Sequence, residues 1–269
     1  MSFVVVVTGA NRGIGTAICD GILSASTPKP VVLYACSRAG KDLGLKGKVE
    51  YPKLDITDKT QIQALVDKIK QDQGGVDVLI NNAGVNLDDD YSLETAKQTL
   101  ETNYRGTLEM CRSFLPLLKD RQGSRIVNLS SVASQLNHYS PEIQERFRSV
   151  KTLEEVQGLA DEYLSAVEAN KVKESGWGRP QLAYSVSKAL MNGFTQVLAK
   201  ENSEVLINAC CPGWVSSDMG HLIGKPPKSL EEGARVPLNI ALKDIGGTTG
   251  KYWANSSVSG TGEGQVQKW

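Results

Sequence analysis

A chain of 269 residues suits one large α/β domain or two small ones, and it can bury most of its apolar surface without disulfide or metal staples. Its 30 basic and 30 acidic side chains cancel to a formal net charge of zero, so no basic excess points to nucleic acid or an anionic membrane. The five cysteines (Cys19, Cys36, Cys111, Cys210 and Cys211) form no disulfide framework and have no zinc-ligand spacing, so no metal site is expected.

In chain order, the first half alternates short apolar runs with periodic segments. Met1-Ser2-Phe3 and the four valines that follow lack a basic leader, and the run stops at Thr8-Gly9. Phe3 to Val7 therefore reads as a buried strand rather than a signal peptide. A Gly-rich turn comes next, then a helix from Gly13 to about Ser24. Val31 to Cys36, Val49 to Leu54 and Val76 to Ile80 read as the second, third and fourth strands. Asp58 is placed to cap a helix in which Ile62, Leu65, Val66 and Ile69 fall at i, i+3, i+4 and i+7. Ser92 to about Lys119 predicts one or two helices, and Arg125 to Leu129 a fifth strand. Gln181 to Lys200 predicts a further helix, Val205 to Cys210 a sixth strand, and Lys251 to Ala254 a last short one.

Apolar runs alternating with helices imply a parallel sheet covered on both faces. Right-handed crossovers make it a doubly wound α/β sheet of the Rossmann type, expected to be a single domain over residues 1–269. The irregular region is 135–181, a charged stretch with two expected helices at about Pro141–Val150 and Thr152–Lys171. It is either a surface insertion with no chemistry of its own or a wall over the ligand site, since it leaves the carboxyl edge of a strand. No stretch approaches the ~18 apolar residues of a membrane-spanning helix. A cytoplasmic setting is expected.

The first turn reads Thr8-Gly9-Ala10-Asn11-Arg12-Gly13-Ile14-Gly15, between a strand and a helix. Glycines there let the backbone approach a pyrophosphate, and the helix N-terminus supplies free N–H groups. A purely structural turn is the other reading. NAD binding wants an acid at the end of the second strand, but this one ends Cys36-Ser37-Arg38. Arg38 and Arg12 can instead pair with a 2′-phosphate, which favours NADPH; two solvated surface arginines are the alternative, and Asp42 is the dissenting charge. Asp55 either accepts from an adenine amino group or shares the cap role of Asp58. Asn81-Asn82-Ala83-Gly84 suits ribose contact and bracing of neighbouring strands, or a plain turn.

Tyr184 and Lys188 stand at i and i+4 and share one helix face. A nearby ammonium favours phenolate, and a tuned phenol can protonate a carbonyl oxygen. An amphipathic helix with an ordinary lysine has the same spacing. Ser131, in the Ser130-Ser131 pair that ends strand five, can hydrogen-bond a substrate oxygen or simply cap a turn. Asn103 sits mid-helix, where Asn is disfavoured; it either holds a water linked to Lys188 or marks a kink.

Together these motifs resemble the short-chain dehydrogenase/reductase family. Thr8–Gly15 is similar to its TGxxxGIG, Asn81–Gly84 to its NNAG, Tyr184–Lys188 to its YxxxK and Pro212-Gly213 to its PG, in the family's order over nearly the whole chain. Ser131 and Asn103 fall at its catalytic serine and asparagine. Within the family, Asn208–Met219, Pro141–Arg148 and the long insertion are most similar to the monomeric carbonyl-reductase branch. The resemblance implies NADPH bound by Gly9, Asn11, Arg12, Gly13, Ile14, Gly15, Arg38, Asp55, Asn82, Ala83 and Gly84, with Tyr184, Lys188, Pro212, Gly213, Val215 and Ser217 completing the site. Val215 and Ser217 are implied to meet the nicotinamide amide or the phosphates, with Ser217 standing where threonine is usual.

The implied reaction is reduction of ketones, aldehydes or quinones, a small-molecule carbonyl substrate, with Tyr184 as proton donor. A dedicated biosynthetic ketone reductase and a non-catalytic NADP(H)-sensing protein are the alternatives. The resemblance also suggests a monomer, because the insertion can cover the helices that many members use to form tetramers. His138 and His221 read as surface or pocket-lining residues, and Cys210-Cys211 as buried strand-end residues, with a reactive Cys211 as the second possibility.

Overall fold

In the computed structural model, which describes residues 2–27 and 29–269, the described strands form one eight-stranded sheet in the order β3-β2-β1-β4-β5-β6-β7-β8. The strands are β1 (Phe3–Thr8), β2 (Val31–Cys36), β3 (Lys48–Glu50), β4 (Val78–Asn81), β5 (Arg125–Leu129), β6 (Leu206–Cys210), β7 (Tyr252–Ala254) and β8 (Gln265–Gln267). All pairings are parallel except β7 with β8. The helices are α1 (Gly13–Ser24), α2 (Lys59–Gln73), α3 (Leu93–Leu100), α4 (Thr107–Lys119), α5 (Pro141–Ser149), α6 (Leu153–Glu168), α7 (Ala183–Glu201), α8 (Asp218–His221) and α9 (Leu230–Leu242).

The valine run of β1 shows why the sheet sits inside. Val4 and Val6 enter one core with α2, α3, α4 and α7, while Val5 and Val7 enter the other with α1 and α9. Side chains alternate across a strand, so a strand buried on both faces must be apolar at every position. The α2 helix forms as its spacing predicts: Asp58 accepts from the N–H groups of Thr60 and Gln61, and Ile62, Leu65, Val66 and Ile69 are buried. Gly74 ends it at φ 73°, a left-handed position where glycine has no Cβ penalty.

Three local features differ from the expectation. The third strand stops at Glu50, because Pro52 has no N–H for the ladder and pairing resumes only as a single bridge from Ser37 to Lys53. Between α3 and α4 the chain makes a π-helical turn over Glu101–Gly106, centred on Asn103. Among the described helices and strands, three lie outside the predicted set: α8, α9 and the antiparallel β8.

The 135–181 region packs against the helices on the sheet. Its helices α5 and α6 start at Ser140 and Thr152, whose hydroxyls accept first-turn N–H bonds. Tyr139, Phe147, Tyr163, Trp177 and Trp269 stack in a chain of rings with centroids 5.4 to 6.3 Å apart. The α6 helix packs on α3 and α7, and Gly193 of α7 faces Val150 and Val156. No residue of 135–181 lines the main cleft among the described residues. Phe147 is fully buried at the centre of the ring chain. Phe147→Ala should cost about 3–5 kcal/mol in chemical denaturation with a single transition; an unchanged main transition would mean that the insertion folds apart from the sheet.

Candidate active site

A cleft of about 910 Å³ opens along the carboxyl ends of β1, β2, β4, β5 and β6. Its centre lies between β1 and β4, where the strand order reverses, the place where such sheets bind ligands. Gly9, Asn11, Arg12, Gly13 and Ile14 form one wall, and Arg38 and Asp55 one end. Asn82, Ala83 and Gly84 form the floor. Tyr184, Lys188, Pro212 and Ser217 close the other end.

The turn between β1 and α1 is shaped by contacts that exclude side chains. Gly9 sits at φ 64°, and a Cβ there would lie 2.9 Å from the Cα of Ala83. At Gly15 a Cβ would lie 2.2 Å from the carbonyl oxygen of Gly9. The Asn82 amide donates to the carbonyls of Thr8 and Gly9, and the Thr8 hydroxyl accepts from the N–H groups of Asn82 and Ala83. Asn82 thereby braces the two strand ends on either side of the switch point. No described side chain caps the N-terminus of α1, and its first turn carries no acid. Free N–H groups, positive helix dipole and a glycine cradle are what a pyrophosphate requires. The residues present fit a dinucleotide.

Two arginines border this cradle. Arg38 is exposed at the end of β2 and lines the cleft. Arg12 is also exposed and pairs at 3.2 Å with Asp218 of α8, on the opposite lip. Asp55 uses one oxygen to accept from the N–H and hydroxyl of Thr57, so the cap of α2 belongs to Asp58 alone.

At the other end, α7 presents Tyr184 and Lys188 side by side. Lys188 is 4% exposed, and its ammonium donates to the Leu129 carbonyl at 2.7 Å. Its Nζ lies 5.6 Å from the centroid of the Tyr184 ring. Burial pulls the ammonium down to about 8, against a partial opposing pull from Cys210 and Cys211. Burial pushes the Tyr184 phenol the other way, up to about 12; the neighbouring Ser131 hydroxyl lowers it, and Cys211 and Asp88 raise it. The expected lowering of the phenol by Lys188 does not appear; desolvation of the charged form raises it instead. A phenol held protonated at neutral pH has a proton that it can give.

Five expected site residues are outside the cleft lining: four support it from behind, and Ser131 is half-buried beside the phenol. Asn103 is fully buried at the π turn. Its carbonyl oxygen accepts from the Val85 N–H, and its amide donates to the Val85 carbonyl and the Ser187 hydroxyl. Ser187 donates in turn to the Tyr184 carbonyl, so Asn103 joins the loop after β4 to α7. Ser131 accepts from the Ala133 N–H and stands beside the phenol. Gly15 packs on Gly9. Gly213 has φ 86° and covers Lys228, while the Val215 side chain packs on Gly233 of α9.

Lys228, which no motif marks, is a buried cation that donates to the Pro212 carbonyl at 2.7 Å and holds the PG turn from below. Asp88, which binds the start of α7, is in no motif either, while Ser187 and Asp218 lie inside the YxxxK and Asn208–Met219 stretches at positions given no role there. Cys211 is buried, its sulfur accepts from the N–H groups of Val132 and Gly213, and burial pushes its thiol up. His138 and His221 are exposed.

Two outcomes follow. Gly15→Ala sets a methyl against backbone, so it should cost about 1–3 kcal/mol and weaken dinucleotide binding in the same calorimetric titration. The folded Lys188 binds its proton less tightly than the unfolded chain does. Its burial penalty is therefore full below about pH 8 and disappears as pH rises to the ordinary lysine value of 10.5. The stability of Lys188→Met relative to the parent should fall across that window in urea titrations; a flat difference would contradict a buried ammonium.

Residues 3–141 match the short chain dehydrogenase family. Carbonyl reductase [NADPH] 1 of Mus musculus is 36% identical over 95% of this chain and 97% of its own length. Short-chain dehydrogenase/reductase 1 of Saponaria officinalis is 34% identical over 94% of each chain. Among solved structures, salutaridine reductase from Papaver somniferum superposes with a TM-score of 0.81 at 29% identity, covering 93% of this chain and 99% of that one. With a matching family model and relatives 34% and 36% identical over most of its length, the chain belongs to the short-chain dehydrogenase/reductase family.

Proposed function

We propose that this protein is an NADPH-dependent carbonyl reductase with Tyr184 as its proton donor. The observation that carries the proposal is the pairing on α7 of a half-buried Tyr184 with a buried Lys188, with Ser131 beside the phenol, at the cleft whose other wall is the glycine turn. When bound, NADPH supplies the hydride. The glycine turn and the α1 N-terminus would hold its pyrophosphate, and Arg12 and Arg38 its 2′-phosphate. The name of the mouse relative, carbonyl reductase [NADPH] 1, supports the same cofactor and substrate class.

The chain's own residues perform the acid chemistry. Ser131 orients the carbonyl oxygen by hydrogen bonding. Tyr184, protonated at neutral pH, donates its proton to that oxygen as negative charge builds on it. The phenolate left behind is half-buried, and the Lys188 ammonium beside it offsets the cost of its charge. Asn103 keeps this pair in register with the loop after β4 and stands where a proton relay through Lys188 would start. Packing of α6 on α3 and α7 covers the face that would otherwise join subunits, which supports a monomer. No described helix is long and apolar enough to cross a membrane.

Tyr184→Phe should lower kcat by ~10²–10⁴-fold toward a panel of aromatic aldehydes, ketones and quinones, with NADPH affinity retained. Unchanged turnover would remove the proposed donor. Arg38→Ala should lose a charge-assisted bond of ~1.5–3 kcal/mol, cutting the NADPH-over-NADH preference by roughly 10- to 100-fold; an intact preference would return Arg38 to the solvated surface.

A further inference from the structure

We propose that Asp88 is a positioning residue for Tyr184: from the loop after β4 its carboxylate holds the first turn of α7, and with it the phenol. The inference rests on the reading of Tyr184 as proton donor.

The α7 helix begins without a local cap, since Leu182 stands at its N-cap and has no polar side chain. First-turn N–H groups have no partner within a helix. Both carboxylate oxygens of Asp88 lie 3.3 Å from the Tyr184 nitrogen, across 96 positions of sequence. The Ala183 N–H meets the same carboxylate. Tyr184 is the second residue of the helix, so a shift of this turn moves the phenol directly. The bond is also electrostatic, because a carboxylate at a helix N-terminus faces the positive end of the dipole.

The groups that face Asp88 come from several elements. Arg179, in the segment that leads into α7, attracts its charge, and Asp89 beside it repels it. The phenols of Tyr139 and Tyr163, in the insertion, and of Tyr184 itself all feel its negative charge. Partial burial raises the Asp88 carboxyl above the usual range, against the opposing pull of the two N–H groups and Arg179. Around Tyr184, Asp88 and Cys211 raise the phenol while Ser131 lowers it. Asp88 thus has two effects on the donor. It fixes the donor's place, and its charge helps keep the proton on the phenol until the substrate oxygen takes it.

The test compares Asp88→Ala, Asp88→Asn and the exposed control Asp89→Asn in the full-length enzyme. The readouts are kcat, KM, NADPH affinity and the pH profile of kcat with one aromatic ketone. Asp88→Ala should lower kcat by up to about 10²-fold, the scale of a misplaced reacting group, with NADPH affinity unchanged. Asp88→Asn keeps the shape and one acceptor oxygen, so its kcat should fall less. Its alkaline limb should move to lower pH, because the phenol loses a negative neighbour. Asp89→Asn should match the parent in both. Where Asp88→Ala does not fold, Asp88→Asn alone decides. A parental kcat and pH profile in Asp88→Asn overturns the proposal. So does a loss that tracks NADPH affinity with an unmoved alkaline limb, the mark of a merely structural residue. Tyr184→Phe separates the two levels. If it stays active, the donor assignment fails; if it is inactive while the Asp88 variants behave as the parent, only the role of Asp88 fails.

Discussion

Helix α7 sets a half-buried phenol at the cleft and carries an ammonium into the protein interior, and much of the fold exists to make that burial tolerable. An isolated buried charge is expensive unless it is paired or hydrogen-bonded. The Lys188 ammonium therefore donates to the carbonyl that ends β5. The outer face of α7 is covered by α6 of the insertion, its middle is tied to Asn103 through Ser187, and its N-terminus is held by Asp88. Each of these contacts comes from a different element, and each fixes the same helix.

The same desolvation sets the charge states at the site. It disfavours phenolate and ammonium alike, so Tyr184 moves up while Lys188 moves down. The lysine keeps most of its charge near neutrality and the tyrosine keeps its proton. That combination suits delivery of a proton to a substrate; the reverse reaction would start from phenolate. The π turn at Asn103 belongs to this arrangement, since such turns occur often at functional sites and here one bridges the loop after β4 and α7.

The parts of the molecule that could be read along the chain are those whose signal is local. The valine run of β1, the cap at Asp58, the periodic face of α2 and the glycine turn all formed where their residues placed them. The α9 helix escaped because Gly233 and Pro237 interrupt its pattern, although Ser229 and Glu232 form the capping box that marks its start. Asp88 and Lys228 could not be found in this way, since their partners lie far off in sequence and the bonds join side chain to backbone. Asp88 is also one of three consecutive aspartates, and nothing local singles it out. Val215 shows the opposite limit: a motif position whose side chain turns to α9 while its neighbours line the cleft.

Strand β8 has an effect on how the protein meets its neighbours. An open parallel sheet ends in two rows of unpaired backbone groups, each a template for another chain. On one side β8 pairs with β7 and, at three residues, leaves only a short and polar edge. On the other side β3 is equally short, exposed at both ends, and followed by a proline that cannot extend the ladder. A fold that spends its interior on one buried helix thus finishes its sheet at both margins with strands too short to recruit a partner, which protects the molecule from edge-to-edge aggregation.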